Sequence, residues 1–489
     1  MNPIQPVQLV AMEKIYKNKE LALQFLLLAI AAAFLTFNMN RTLVDFDEAT
    51  YAQVVVDTMH SGQFASFQLR GENWFEKPPL FLWLDMASVR VFGESEVAFR
   101  IPAIIAAILC CYFTYLIVRK TTGSVIAAAF GFLVLLFSNR FFVYGRELRL
   151  DQAVIAAMLA AFLLWLHSDE NPKKLFWIFP LIGVGFLIKS VIAFLIVPAI
   201  LLYAFFYMRW SWVQSKYLWY GLPVMLLILL PWHLWESVQF GWLFWENYIG
   251  YQILQRATST ITGSNNEIDY LFVLWTLIPW IWVLVAELAL LIGLKNVRQF
   301  KNVIHFWGII SALAYVFFLT VIFTMAKTHL GSYLLPAFPF IAIAIAECLF
   351  YLSIVAKQYK VFLYSGFFAL VIFAAYICVS QRNMQTMYWT QDEQAVGALY
   401  KGHTEQLYAI DWRIAETIEY YGDTNVIKLD PYTNKGKIVK GPFYVVVDTI
   451  DKPFFVRSGT PLYPGLNVLY QGTTLALLYS DRDLILPQF

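Results

Sequence analysis

Apolar residues along this chain gather in long runs and seldom alternate with polar ones. A helix needs about 20 apolar residues to cross the hydrocarbon of a bilayer. Runs of that order lie near 21–37, 97–118, 124–138, 151–167, 175–188, 190–208, 217–236, 271–293, 303–323, 333–352 and 361–379, those of the third to fifth being short. The pattern predicts a polytopic α-helical membrane protein with about 11 spans and at most 13. Pro198, Pro223, Pro231, Pro279, Pro336 and Pro339 fall inside runs and predict kinks, since each removes a helix hydrogen bond that neighbours must replace.

Two stretches break this pattern. The segment 38–96 is too long for a simple connection. Its Tyr51, Val54, Val55 and Thr58 recur at helical spacing over 47–59, and after Gly62 a second amphipathic pattern opens at Pro78-Pro79 and runs to Phe92. Two helices along the outer membrane surface are expected. Beyond 380 the apolar runs shrink to strand length and 22 of the 68 charged residues fall in 110 positions. Segments 407–411, 425–429, 443–448 and 475–480 read as strands, and 392–400 and 413–421 as helices. The expected organisation is a membrane domain over 1–379, including the first outer loop 38–96, and a small extracytoplasmic α/β domain over 380–489.

Composition agrees with a bilayer, at 60% hydrophobic and 14% charged residues and a mean hydropathy of +0.61. A net charge of +2 without a basic cluster excludes nucleic acid as a partner. Cys110, Cys111, Cys348 and Cys378 lie in apolar runs, with neither a disulfide framework nor a zinc spacing. His60, His167, His233, His305 and His403 are scattered, so no metal site is expected. Lys14, Lys17 and Lys19 precede the first run and no small-x-small site follows it, which reads as an uncleaved anchor. With the N-terminus inside, the inner loops are short and basic (Arg119-Lys120, Lys173-Lys174, Arg209 with Lys216, Lys357 with Lys360), and the tail is outside. Glu287 and Glu347, near inner helix ends, are expected to snorkel or pair.

The chemistry concentrates at the opposite face. Asp45-Phe46-Asp47-Glu48 puts three carboxylates in four residues at the start of a predicted helix, a pattern that helix capping alone also produces. Trp74-Phe75-Glu76-Lys77-Pro78-Pro79 sets an ion pair among aromatics and prolines. Arg146-Glu147-Leu148-Arg149-Leu150-Asp151 places four charges in six residues before an apolar helix. Lys189 stands between two runs with no loop to hold it in water, and Ala326-Lys327-Thr328-His329 closes a late run. Ionisable residues at membrane depth are costly and face a partner or a cavity. The alternating topology brings all five clusters to one face. Cations there suit a phosphate head group, and carboxylates suit activation of a hydroxyl or stabilisation of a sugar cation.

These strings, in order and spacing, resemble the GT-C membrane glycosyltransferases, specifically the bacterial aminoarabinose lipid A transferase branch and its protein O-mannosyltransferase-like relatives. The matching pieces are Asp47-Glu48-x-x-Tyr51-Ala52, Phe75-Glu76-Lys77-Pro78, Phe92-Gly93 leading to Arg100-Ile101-Pro102, Asp151, Lys189, Pro231-Trp232, Pro279-Trp280 and Lys327-x-x-Leu330-x-x-Tyr333-x-Leu335-Pro336. The resemblance implies transfer of a sugar from a polyprenyl-phosphate donor to a lipid, glycan or protein acceptor. It places a multi-pass monomer among the lipids of the bacterial inner membrane, its active site facing the periplasm. It implies catalytic roles for Asp47, Asp151 and Glu48, and donor-phosphate contacts from Lys77, Arg146, Arg149, Lys189, Lys327 and His329. Tyr51, Glu76 and Tyr333 would position substrate. No cofactor is required, and a divalent metal has no support. Four positions depart from the lipid A enzymes: Thr50 for Arg, Ser190 for Gly, Asn247 for His and His329 for Lys. A transporter or flippase of a lipid-linked substrate is the competing class. Such proteins show internal repeats and broken spans near the midplane, and no repeat is visible here.

Overall fold

A computed structural model describes residues 6–43, 45–259, 304–355, 357–385, 390–410, 415–429, 438–448, 456–457, 460–461 and 465–485. The chain divides into two compact units. One comprises Met1–Met39, Phe75–Leu84 and Ile101–Cys378; the other comprises Asn40–Trp74, Asp85–Arg100 and Val379–Phe489. Most of the segment 38–96 thus belongs to the same unit as the tail.

The first unit is helical. Among the described residues eight stretches are long and apolar enough to cross a membrane: Lys17–Thr36, Glu96–Thr122, Asp151–Asp169, Pro172–Phe206, Lys216–Phe240, Trp307–Met325, Gly331–Ile354 and Lys357–Ser380. The expected run at 271–293, with Pro279, Trp280 and Glu287, lies outside the described residues. The third expected run forms α5 (Val125–Leu136), whose 12 residues rise only about 18 Å. Helices α1 to α4 are Pro6–Thr36, Asp45–Ser61, Pro79–Phe92 and Glu96–Thr122, and α6 and α7 are Asn139–Tyr144 and Asp151–Leu166.

The stretch Pro172–Phe206 is no straight rod. Helix α8 (Ile178–Lys189) stops at Ser190, with φ 54° and ψ −140°. A 3-10 segment, Ser190–Leu195, then leads into α9 (Ile196–Phe206). A Cβ added at Gly185 would lie 2.9 Å from that of Ala193, whereas eight residues of continuous helix would separate them by about 12 Å. The chain therefore folds back at Ser190, and the fifth and sixth expected runs are two short arms.

The prolines correct the kink expectation. Pro223 and Pro231 lie inside α10 (Lys216–Phe240). Pro198 instead falls in the first turn of α9, where helix N–H groups have no partner to lose. Pro336 lies in a 3-10 turn, Gly331–Ala337, that follows α11 (Ile304–Met325), and Pro339 is the second residue of α12 (Phe338–Val355). Glu347 does not snorkel. It is fully buried and accepts a 2.5 Å hydrogen bond from Thr121 Oγ1. Gly308 leaves room for its other oxygen beside the Tyr207 hydroxyl. The four cysteines are free and buried.

The second unit is built on a five-stranded sheet. Its spatial order is Val426–Lys428, Gln406–Ala409, Phe443–Asp448, Leu475–Ser480 and Leu466–Gln471. The first two pairings are parallel and the last two antiparallel. Alternation along Phe443–Asp448 sends Phe443, Val445 and Val447 to one face, with Ile410, Leu466 and Leu478. Tyr444 and Val446 go to the other, where Val396 and Tyr400 of a helix at Thr390–Tyr400 and Ile418 of a helix at Ala415–Gly422 cover them. Helix α2 ends at Gly62, whose φ of 71° suits a residue without a Cβ, and a short hairpin pairs Gln68 with Asn73 and Leu69 with Glu72.

Candidate active site

In the second unit, Asp47 is half-buried in the first turn of α2. Its neighbour Glu48 is fully buried against Arg100, also fully buried, at the start of α4. Arg100 Nε donates to Glu48 Oε1 at 2.8 Å and Nη2 to Oε2 at 2.7 Å. The same guanidinium donates to the carbonyls of Arg41 at 2.5 Å and Thr42 at 3.0 Å. This fork ties the chain entering α2 to the base of α4. Both oxygens of Glu48 are engaged there. Removing one partner of such a buried pair costs about 3–5 kcal/mol, because the other charge is left stranded. Tyr51, one turn on from Asp47, packs edge-on against Trp74 at 6.1 Å.

The remaining expected residues lie in the first unit. Lys189 Nζ donates to Asp151 Oδ1 at 2.5 Å, joining the last residue of α8 to the first of α7. The fold-back at Ser190 explains how Lys189 ends a helix with no loop. Lys77 pairs with Glu76 at 3.4 Å. Phe75, just before them, packs in an aromatic cluster with Leu187, Trp232, Phe244 and Tyr248. Arg149 pairs with Glu147 at 2.8 Å and lies 4.3 Å over the Tyr144 ring. Arg146 turns to the end of α1, donating to the carbonyls of Leu35 at 3.3 Å and Phe37 at 2.5 Å. The guanidinium supplies partners that a helix C-terminus lacks. Lys327 is exposed, the His329 ring meets the Ala326 carbonyl at 2.8 Å, and Tyr333 packs on Phe323.

Two residues that sequence reasoning passed over contact the string holding Lys327. Arg140 lies against Gly331, where a Cβ would collide with its guanidinium. It thereby joins α6 to the string holding Lys327 and Tyr333. Arg256 follows a π-helix, Glu246–Gln255, a rare form that clusters at functional sites. The Arg256 carbonyl accepts from Thr328 N, and the Ala257 carbonyl from Lys327 N, each at 3.1 Å. Arg256 Nε is buried without a hydrogen-bond partner among the described residues. The one available signal was a lone charge closing an aromatic stretch. Among the described residues no group of three His, Cys, Asp or Glu is placed to hold a metal ion.

A family model described as dolichyl-phosphate-mannose-protein mannosyltransferase matches residues 76–235. An undecaprenyl phosphate-alpha-4-amino-4-deoxy-L-arabinose arabinosyl transferase of Pseudomonas savastanoi pv. phaseolicola is 29% identical over 220 residues, 42% of this chain and 40% of that protein. A putative mannosyltransferase of Bacillus subtilis is 29% identical over 207 residues, 41% of this chain and 29% of that protein. The chain thus spans less than half the length of these two curated relatives. Among solved structures, ArnT from Cupriavidus metallidurans bound to undecaprenyl phosphate aligns over 93% of this chain and 97% of its own, with a TM-score of 0.67 and 18% identity. The chain is therefore a polytopic helical membrane protein with the GT-C fold, and it resembles the aminoarabinose transferase and protein-mannosyltransferase-like family.

Proposed function

We propose that the chain moves a sugar from a polyprenyl-phosphate-linked donor to a lipid, glycan or protein acceptor at the outer face of the bacterial inner membrane. The observation that carries this reading is the fold likeness, over nearly the whole chain, to a protein bound to undecaprenyl phosphate. Eleven spans with the N-terminus inside would put the tail in the periplasm. Asp47, half-buried and adjacent to the fixed Glu48, takes the proton of the acceptor hydroxyl. The acceptor oxygen attacks the anomeric carbon, the bond to the phosphate oxygen breaks, and polyprenyl phosphate leaves with the electron pair. A single displacement of this kind inverts the anomeric centre.

Lys77, Lys189 and Lys327, together with Arg149, Arg256 and His329, supply positive charge to the leaving phosphate. Asp151 orients Lys189 through their ion pair. Glu48 and Arg146 are positioning residues, the first holding Arg100 and the second the end of α1. Tyr51, Glu76 and Tyr333 position the sugar and acceptor.

Mass spectrometry of glycolipids and glycoproteins from cells with and without the gene identifies the transferred mass. In the same cells, Asp47→Asn and Lys77→Ala should each lower that product at least about 100-fold while the chain stays inserted. Near-normal product in either variant rejects the assignment. A covalent sugar adduct on any carboxylate replaces the single displacement with a double one.

A further inference from the structure

The second unit holds a polar pocket that the transfer reaction does not use. It has a volume of about 220 Å³ and is lined by Gln53 and Asp57 of α2, Arg70 of the hairpin, and Glu419, Asp423, Thr424 and Asn425 of the tail. Its floor is fixed. Asp57 accepts from Gln53 Nε2 at 2.7 Å and from the Arg70 N–H at 2.6 Å. Arg70 pairs with Glu419 at 2.6 Å, and Glu419 accepts from Val426 N at 2.8 Å. At the rim, Asp423 and Asn425 are exposed. Arg70 and Asp423, both in the lining, hold positive φ, 52° and 50°. Arg70 takes this conformation with Gly71 as the two-residue turn of the hairpin requires, and Asp423 takes it just past the end of a helix.

The lining selects the ligand. No apolar side chain contributes, so neither an acyl chain nor an apolar peptide side chain gains by entering. Three carboxylates face one guanidinium. The balance stays negative even with Glu419 neutral, its carboxyl being raised by burial, which disfavours phosphate and carboxylate. What remains are paired donors and acceptors suited to vicinal hydroxyls or to an amino group. Asp57 lies ten residues along α2 from Asp47, about 15 Å of helix rise, the reach of a short oligosaccharide. Resting on the transferase reading above, we infer that this pocket holds a neutral or amino-sugar residue of a glycan acceptor, remote from the hydroxyl that reacts.

Saturation-transfer NMR on the detergent-solubilised full chain tests this with glucosamine, N-acetylglucosamine trisaccharide and mannotriose, and with glucose 6-phosphate as the anionic control. At least one neutral or amino sugar should bind, and glucose 6-phosphate should not. Asp423→Asn, which tolerates the same backbone, and Asn425→Ala should each weaken binding at least fivefold while undecaprenyl phosphate binding is kept. Absence of sugar binding, equal binding of glucose 6-phosphate, or indifference to both variants overturns the pocket. The readout needs no turnover. A chain that binds sugar here but transfers normally as Asp47→Asn rejects the catalytic assignment and leaves the pocket standing.

Discussion

Ser190 occupies the backbone conformation that the local fold most needs and a serine least suits. Its φ of 54° and ψ of −140° turn α8 back on itself, and the Cβ of any L residue crowds the backbone there. Ser190→Gly should therefore raise stability by about 1 kcal/mol, read as a higher thermal midpoint in detergent, and Ser190→Val should lower it. A lower midpoint for the glycine variant would show that the serine side chain holds the turn. The charge of Lys189 was legible as one needing a partner, because no water-facing loop could account for it, and Asp151 is that partner. The single-residue turn was not legible, because nothing in a Lys-Ser pair announces a left-handed residue. Arg146 shows the converse: its charge was conspicuous, but only the coordinates show that it caps α1.

Helix α2 illustrates how an element is held from far along the chain. Its spacing of Tyr51, Val54 and Val55 predicts the helix, found at Asp45–Ser61. What fixes its entry is remote. The Leu43 N–H donates to the Tyr421 hydroxyl at 3.0 Å, that hydroxyl donates to Glu96 at 2.8 Å, and Thr42 Oγ1 donates to Gln394 at 2.7 Å. Periodicity reports only residues three or four apart, so partners more than 300 positions away leave no trace in it. Tyr421→Phe removes both hydrogen bonds and keeps the ring. With each worth about 1 kcal/mol, kcat should fall by up to about 30-fold with KM for the donor unchanged. A raised donor KM at constant kcat would instead tie Tyr421 to donor binding. The strands of the tail were easier to foresee, since alternation along segments such as Phe443–Asp448 is local.

At the scale of the molecule, apolar runs announce the bilayer, but they do not announce that Asn40–Trp74, Asp85–Arg100 and Val379–Phe489 form one unit. Three pieces folding together make the segment that bears Asp47 depend on the stability of the tail. Glu393 makes that stability pH-dependent. Buried on its helix, it has its carboxyl pushed up to about 8 by desolvation, with Glu416 and Asp392 adding repulsion and a hydrogen bond from Thr417 opposing. Of these neighbours, Glu416 pairs with Lys428, and Asp392 accepts from the Thr474 and Leu475 N–H groups. The folded state keeps the proton on Glu393 where the unfolded chain, with its ordinary carboxyl, gives it up. Stability is then complete below about pH 4.5 and falls as pH rises through about 8, by at most about 1.4 kcal/mol per pH unit. The thermal midpoint of the second unit should drop over that window, and transfer should decline on its alkaline side. Glu393→Gln, neutral at every pH and nearly the same shape, should flatten both profiles. Wild-type and variant midpoints that fall in parallel would place the proton elsewhere, on Glu419, whose carboxyl burial also raises.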